Sequence, residues 1–208
     1  MVTLHHLNNS RSQRIIWLLE ELAIPYDLVR YQRDAVTNLA PPELKAINPL
    51  GKSPVITDGA VRIAESGAIV EYLVATYGGG RFQPPAASDA HLSYLEWLHY
   101  AEGSAMLPLM LAFYLMRIGD AAAPLTPRVS SEIENHLTYM SNALGSSDYL
   151  MGPEFTGADV QISFVLEMAR AMGRLNAFPS LSAYVDRLHA RPAYQRAIEK
   201  GGAYTIGQ

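Results

Sequence analysis

Apolar and polar residues alternate over short runs early in the chain, whereas helical spacing dominates its later two thirds. Val2–Leu7 is a short β-like run. Over residues 12–23 the positions Ile15, Ile16, Leu18, Leu19 and Leu22 form a broad apolar face, which predicts a helix. Pro25 stops that helix, and Tyr26–Tyr31 alternates as a strand. Pro41-Pro42-Glu43-Leu44 suits the start of a short helix with proline in its first turn. Residues 55–57 and Val61–Ala64 read as strands joined at Asp58-Gly59, a dipeptide that favours a tight hairpin. Ser66–Tyr77 reads as a helix stopped by Gly78-Gly79-Gly80. The predicted order is βαβ followed by αββα.

Residues 81–87 then read as a linker rich in glycine, proline and alanine with the segment before it. From Ser88 to Lys200 the pattern is helical, in about five segments punctuated by prolines and glycines. The expected organisation is an α/β domain over 1–80, a linker over 81–87 and an all-helical domain over 88–208.

Composition narrows the function classes. The 208 residues carry a formal net charge of −4, which offers no basic surface for nucleic acid. No apolar run reaches the roughly 18 residues of a membrane span. The start of the chain lacks a basic region followed by an apolar one, so a secretory signal is not expected and a cytoplasmic location is. There is no cysteine. Thiol–disulfide exchange through the protein's own side chains is therefore impossible, and any sulfur chemistry must use a sulfur brought by a ligand. Metal binding finds no support either. His5-His6 would point to opposite faces of a strand, and His99 with Glu102 lacks further ligands at zinc-like spacing. The triple glycine follows a helix rather than preceding one, so it is no phosphate loop.

Two strings carry more specific information. Residues 48–59 run Asn-Pro-Leu-Gly-Lys-Ser-Pro-Val-Ile-Thr-Asp-Gly, and a helix opens on Glu65-Ser66 shortly after. Near the start, residues 6–14 run His-Leu-Asn-Asn-Ser-Arg-Ser-Gln-Arg ahead of Leu18-Leu19-Glu20-Glu21-Leu22 and Pro25-Tyr26. Together with Gly152-Pro153-Glu154-Phe155-Thr156-Gly157-Ala158-Asp159 in the second half, they resemble the cytosolic glutathione S-transferases, bacterial and fungal members in particular. The resemblance spans essentially the whole chain. It implies a thioredoxin-like first domain, glutathione as co-substrate, a homodimer, and attack of the glutathione thiolate on small hydrophobic electrophiles. The same fold also serves glutathione-binding or regulatory proteins without conjugating activity, and glutathione-dependent peroxidases, dehalogenases and isomerases.

By the same resemblance, the Ser53-Pro54 bond is cis and Ser53 offers its backbone to the cysteinyl part of glutathione, as an added strand would. Glu65 and Ser66 at a helix N-terminus suit the γ-glutamyl end, whose carboxylate meets free N–H groups and whose ammonium meets Glu65. Lys52 suits the glycine carboxylate as a point charge, with Arg33 and Lys45 as weaker candidates. Asn48 stabilises the loop before Pro49. The thiol-activating group is Ser10 first, or Asn9, since an amide N–H also donates to a thiolate. Ser12 reads as the helix N-cap. Tyr100, Ser104, Met106 and Phe113 are candidates for the electrophile pocket, on the first helix of the second domain. Thr156 and Asp159 form a structural cap, a Thr-x-x-Asp arrangement ahead of an apolar run.

Overall fold

A computed structural model of the chain describes residues 1–202, 204 and 205. Position 203 and positions 206–208, the end of the expected helical domain, lie outside the described residues. The chain forms two compact units. One comprises Met1–Gln83 and the segment from His189 through the last helix, and the other Pro84–Leu188.

The first unit contains β1 (Val2–Leu7), α1 (Ser12–Leu22), β2 (Tyr26–Tyr31), α2 (Pro42–Ile47), β3 (Val55–Asp58), β4 (Val61–Ala64) and α3 (Ser66–Tyr77). The crossover through α1 makes β1 and β2 parallel, while β3 runs antiparallel to β1 and β4 antiparallel to β3. The sheet order is β2-β1-β3-β4. This is the thioredoxin-like arrangement that the resemblance implies. The β3–β4 turn is one residue later than the sequence suggests. Asp58 still pairs with Val61, so Gly59 and Ala60 make the turn, with Gly59 at φ +59°. Asp58 is held in the strand because its carboxylate accepts hydrogen bonds from Tyr72 (3.0 Å) and Tyr77 of α3.

Helix α1 is buried on every side. Ile15, Ile16, Trp17, Leu18 and Leu19 have no exposed surface. Apolar periodicity accounts for one face only. The other face is covered by α9 (Pro192–Gly201), which the sequence reading placed with the helical domain. Trp17 meets Tyr194 edge to face at 5.3 Å. Glu20 pairs with Arg196 at 2.9 Å and Lys200 at 2.5 Å, and Glu21 pairs with Arg191 at 2.6 Å. The approach is close enough to need glycine, because a Cβ on Gly201 would come within 2.1 Å of Gln13 Oε1.

The second unit is helical. Helices α4 (Asp89–Tyr100) and α5 (Met106–Leu115) run into one another through a π-helical turn, Ala101–Ala105. Pro108 accounts for the slip: it has no N–H, and its ring crowds the carbonyl four residues back. The ladder shifts so that Met106 N–H reaches Ala101 O. Helices α6 (Thr126–Leu144), α7 (Gly157–Ala171) and α8 (Pro179–His189) complete the set. Helix α7 packs on α4 and α5 and is buried from Gly157 to Ala169.

The expected cap at the start of α7 is present and larger than the sequence shows. Thr156 Oγ1 accepts from Ala158 N–H, and Asp159 accepts from Thr156 N–H at 2.7 Å. Asp159, fully buried, also accepts from Leu150 N–H at 3.0 Å and from the Tyr184 hydroxyl of α8.

Candidate active site

The loop between β1 and α1 is held by a dense set of hydrogen bonds. Arg33, just past β2, donates from its own N–H to Asn8 Oδ1 (2.8 Å) and from Nε to Asn8 O (3.1 Å). It also reaches Asn9 O at 3.2 Å and Asn38 O at 3.1 Å. Arg33, a weaker candidate for the glycine carboxylate, thus organises backbone here. Asn9 adopts φ +49°, in the left-handed region that asparagine tolerates better than most residues. Its side-chain oxygen accepts from Thr205 N–H at 2.7 Å. Its Nδ2 group has no hydrogen-bond partner among the described residues.

Ser10 is turned the other way. It is 6% exposed, and its Oγ accepts from Ser12 N–H at 3.2 Å and bonds Ser12 Oγ at 2.8 Å. Ser10, rather than Ser12, therefore supplies the capping oxygen at the start of α1. Ser12 Oγ in turn lies 2.7 Å from His6 Nδ1, and His6 Nε2 lies 3.2 Å from Gly201 O. A carbonyl only accepts, so Nε2 carries the proton and Nδ1 accepts from Ser12. The chain of donors then runs Ser10 to Ser12 to His6 to Gly201, and the Ser10 proton points inward. Sequence periodicity placed His6 in a strand but held no sign of this relay.

The relay has a pH consequence. Burial above all, with the Arg30 charge, lowers the His6 pKa to about 4, against the opposing Gly201 hydrogen bond. In the unfolded chain the imidazole titrates near 6.5, so the folded state binds fewer protons between these values. This contribution to stability is complete above about pH 6.5 and is lost as pH falls toward 4. The loss is on the order of 3 kcal/mol across that window. Denaturant unfolding from pH 7.5 to 4.5 should show a steeper decline for the wild type than for His6→Gln, and parallel curves would refute it.

The Ser53-Pro54 bond is cis. Ser53 Oγ donates to His5 O at 2.8 Å and accepts from Leu7 N–H at 3.2 Å, taking the place of a further rung beside β1. The Ser53 backbone N–H and C=O have no partner among the described residues. Asn48 secures the approach, with Nδ2 on Lys52 O at 3.0 Å, as expected for a loop-stabilising residue. The Lys52 side chain is exposed.

Glu65 precedes α3 with φ +68°, is exposed, and is the N-cap without a side-chain capping bond. Positive φ at a non-glycine residue is a local cost that the surrounding structure must sustain. Ser66 is 3% exposed, and its hydroxyl accepts from the Arg14 guanidinium of α1. Asn9, Ser10, Ser53 and Ser66 are thus connected through β1 and α1. The first-unit candidates gather where the C-terminal end of β1, the N-terminus of α1 and the N-terminus of α3 meet.

The second-unit candidates do not gather in this way. Tyr100 donates to or accepts from His136 Nδ1 at 2.8 Å and packs with Trp97 and Tyr139, and burial pushes its pKa up. Met106 is a core residue at 2% exposure. Ser104 is exposed, and Phe113 lies against Tyr114 under the Arg117 guanidinium. The π-helical turn between Tyr100 and Met106 changes which residues share a face, and uniform helical spacing does not anticipate it. A cavity of about 260 Å³ in this unit is lined by Leu115, Met116, Val129, Met172 and Arg174 among others, and by none of the four candidates. Among the described residues no group of three or more His, Asp or Glu could hold a metal ion, and no helix is long and apolar enough to cross a membrane.

Comparison with known proteins matches this architecture. Residues 1–75 match the family model for the glutathione S-transferase N-terminal domain, and residues 112–200 that for the C-terminal domain. Glutathione S-transferase 3 of Schizosaccharomyces pombe is 36% identical, over 96% of this chain and 88% of its own length. A crystal structure of a glutathione S-transferase from Actinobacillus pleuropneumoniae superposes with a TM-score of 0.89 at 33% identity, covering 100% of this chain and 95% of that one. A glutathione transferase homologue from Lodderomyces elongisporus, solved with two glutathione molecules per subunit, shares the fold at 22% identity with a TM-score of 0.81, covering 96% of this chain and 98% of that one. Both family models and a full-length relative above 30% identity agree, and the chain belongs to the glutathione S-transferase family.

Proposed function

We propose that this glutathione transferase binds glutathione on the first unit and holds its sulfur with the Asn9 amide. The backbone of Ser53 pairs with the cysteinyl part. The N-terminus of α3 receives the γ-glutamyl carboxylate, Glu65 the ammonium, and Lys52 the glycine carboxylate. A thiol of pKa about 8.5 is mostly protonated at neutral pH, and lowering it by two units requires about 2.7 kcal/mol of preferential thiolate stabilisation. The Asn9 Nδ2 donor and the positive end of α1 supply part of that. The thiolate then attacks an electrophilic carbon of a small apolar molecule, forming the S–C bond as the leaving group departs with its electron pair. Homodimeric assembly and a cytoplasmic location belong to the same reading.

One observation supports Asn9 over Ser10. The Ser10 hydroxyl spends its proton on Ser12, whereas Asn9 Nδ2 remains available among the described residues. The test is an ultraviolet difference titration of glutathione added to the protein. A thiolate band titrating well below pH 8.5 is the expected result. Saturable binding without the band would instead mean a glutathione-binding protein without conjugating activity.

A further inference from the structure

We infer that Arg33 is a positioning residue that aims the Asn9 amide at the thiol. The inference rests on the role proposed for Asn9. Two consecutive carbonyls, those of Asn8 and Asn9, converge on one guanidinium, at 3.1 Å and 3.2 Å. Bringing them to a single guanidinium requires a bend in the backbone, and Asn9 supplies it at φ +49°. Asparagine tolerates the left-handed region, and its surroundings decide whether it stays there. Here they do so twice, through Arg33 on the Asn9 carbonyl and through Thr205 N–H on the side-chain oxygen at 2.7 Å. The amide group is planar, so fixing its oxygen and its backbone also fixes the direction of Nδ2.

The chemistry requires arginine. A guanidinium presents several donors in one rigid plane, and Arg33 uses Nε and both terminal nitrogens on three different carbonyls. A lysine ammonium keeps the charge but loses that fork. No carboxylate pairs with Arg33 among the described residues, so its work is directed at backbone oxygens. Burial lowers its pKa without removing its charge.

The test compares Arg33→Lys, Asn9→Ala and the double variant, using the pH titration of the bound glutathione thiol, turnover, and the affinity for S-methylglutathione, which has no thiol. If Arg33 positions Asn9, Arg33→Lys raises the thiol pKa toward the free value and lowers kcat at least tenfold. Affinity for S-methylglutathione stays within threefold, and the double variant titrates like Asn9→Ala alone. An unchanged thiol pKa in Arg33→Lys, with a raised one in Asn9→Ala, overturns the inference and leaves the role of Asn9 standing. An unchanged pKa in Asn9→Ala removes that role, and this inference with it. A tenfold loss of S-methylglutathione affinity in Arg33→Lys makes Arg33 a ligand contact and also overturns the inference. Should Arg33→Lys fold poorly, Thr205→Pro, which deletes the exposed N–H donor, must raise the thiol pKa in the same direction, and failure to do so counts against it.

Discussion

Replacing Asn9 with alanine is expected to lower kcat for glutathione conjugation by about 10²- to 10³-fold, the usual cost of removing one preorganised donor from a developing or resident anion. The loss should be in activation rather than binding. In the proposed binding mode most of the tripeptide is held by Ser53, Lys52, Glu65 and the start of α3, so S-methylglutathione affinity should barely change. The kcat/KM profile against pH should shift upward, because more alkali is needed to form the thiolate. Asn9→Asp is a sharper variant. It keeps the acceptor for Thr205 but puts a carboxylate where the amide nitrogen was, and like charge beside the sulfur opposes ionisation. It should therefore be slower than Asn9→Ala at neutral pH. Ser10→Ala removes the acceptor for Ser12 N–H and should cost about 1 kcal/mol of stability, with turnover falling less than tenfold. The opposite ranking, with Ser10→Ala inactive and Asn9→Ala near normal, would assign thiol activation to Ser10.

The largest effect on stability is expected at Asp159. Its carboxylate serves the backbone of Leu150 and Thr156 and the hydroxyl of Tyr184 with no exposed surface. Alanine there leaves four buried donors, the Thr156 hydroxyl among them, without this acceptor, at about 1–3 kcal/mol for each that finds no other partner. A net loss of about 3–5 kcal/mol is reasonable for breaking such a network. Thr156→Ala removes the cap acceptor for Ala158 N–H and one of the donors to Asp159, and should cost about 1 kcal/mol. The two tryptophans make the measurement local, since Trp17 lies in the first unit and Trp97 in the second. Denaturant unfolding followed by Trp97 fluorescence in a Trp17→Phe background should show a lowered midpoint for Asp159→Ala. A change below 1 kcal/mol would mean the network is incidental to the unit.

Much of this is legible in the sequence. Alternation and proline placement located β1, β2 and α3, and the crossover order implied the parallel β1–β2 pair. The cis Ser53-Pro54 bond and the Thr156–Asp159 cap came from motif resemblance, and both are present. What escaped the sequence depends on long-range contacts. The single apolar face of α1 does not reveal that Trp17, Glu20 and Glu21 meet α9, because those partners lie some 170 positions later. The inward turn of Ser10 follows from His6 and Gly201, residues from two other elements. The π-helical turn at Ala101–Ala105 was foreshadowed by Pro108, but its effect on which residues share a face is not a matter of periodicity.

The packing of α9 on α1 also sets an order of assembly. During synthesis β1, α1 and the loop carrying Asn9 leave the ribosome before α9, which follows only after all of residues 84–188. Until then one flank of α1 stays uncovered, with Trp17 lacking Tyr194 and the carboxylates of Glu20 and Glu21 lacking Arg196, Lys200 and Arg191. Nascent chains halted before residue 192 would present that flank as a hydrophobic target for chaperones or proteases. The loop carrying Asn9 thus depends for its setting on a helix made long after it.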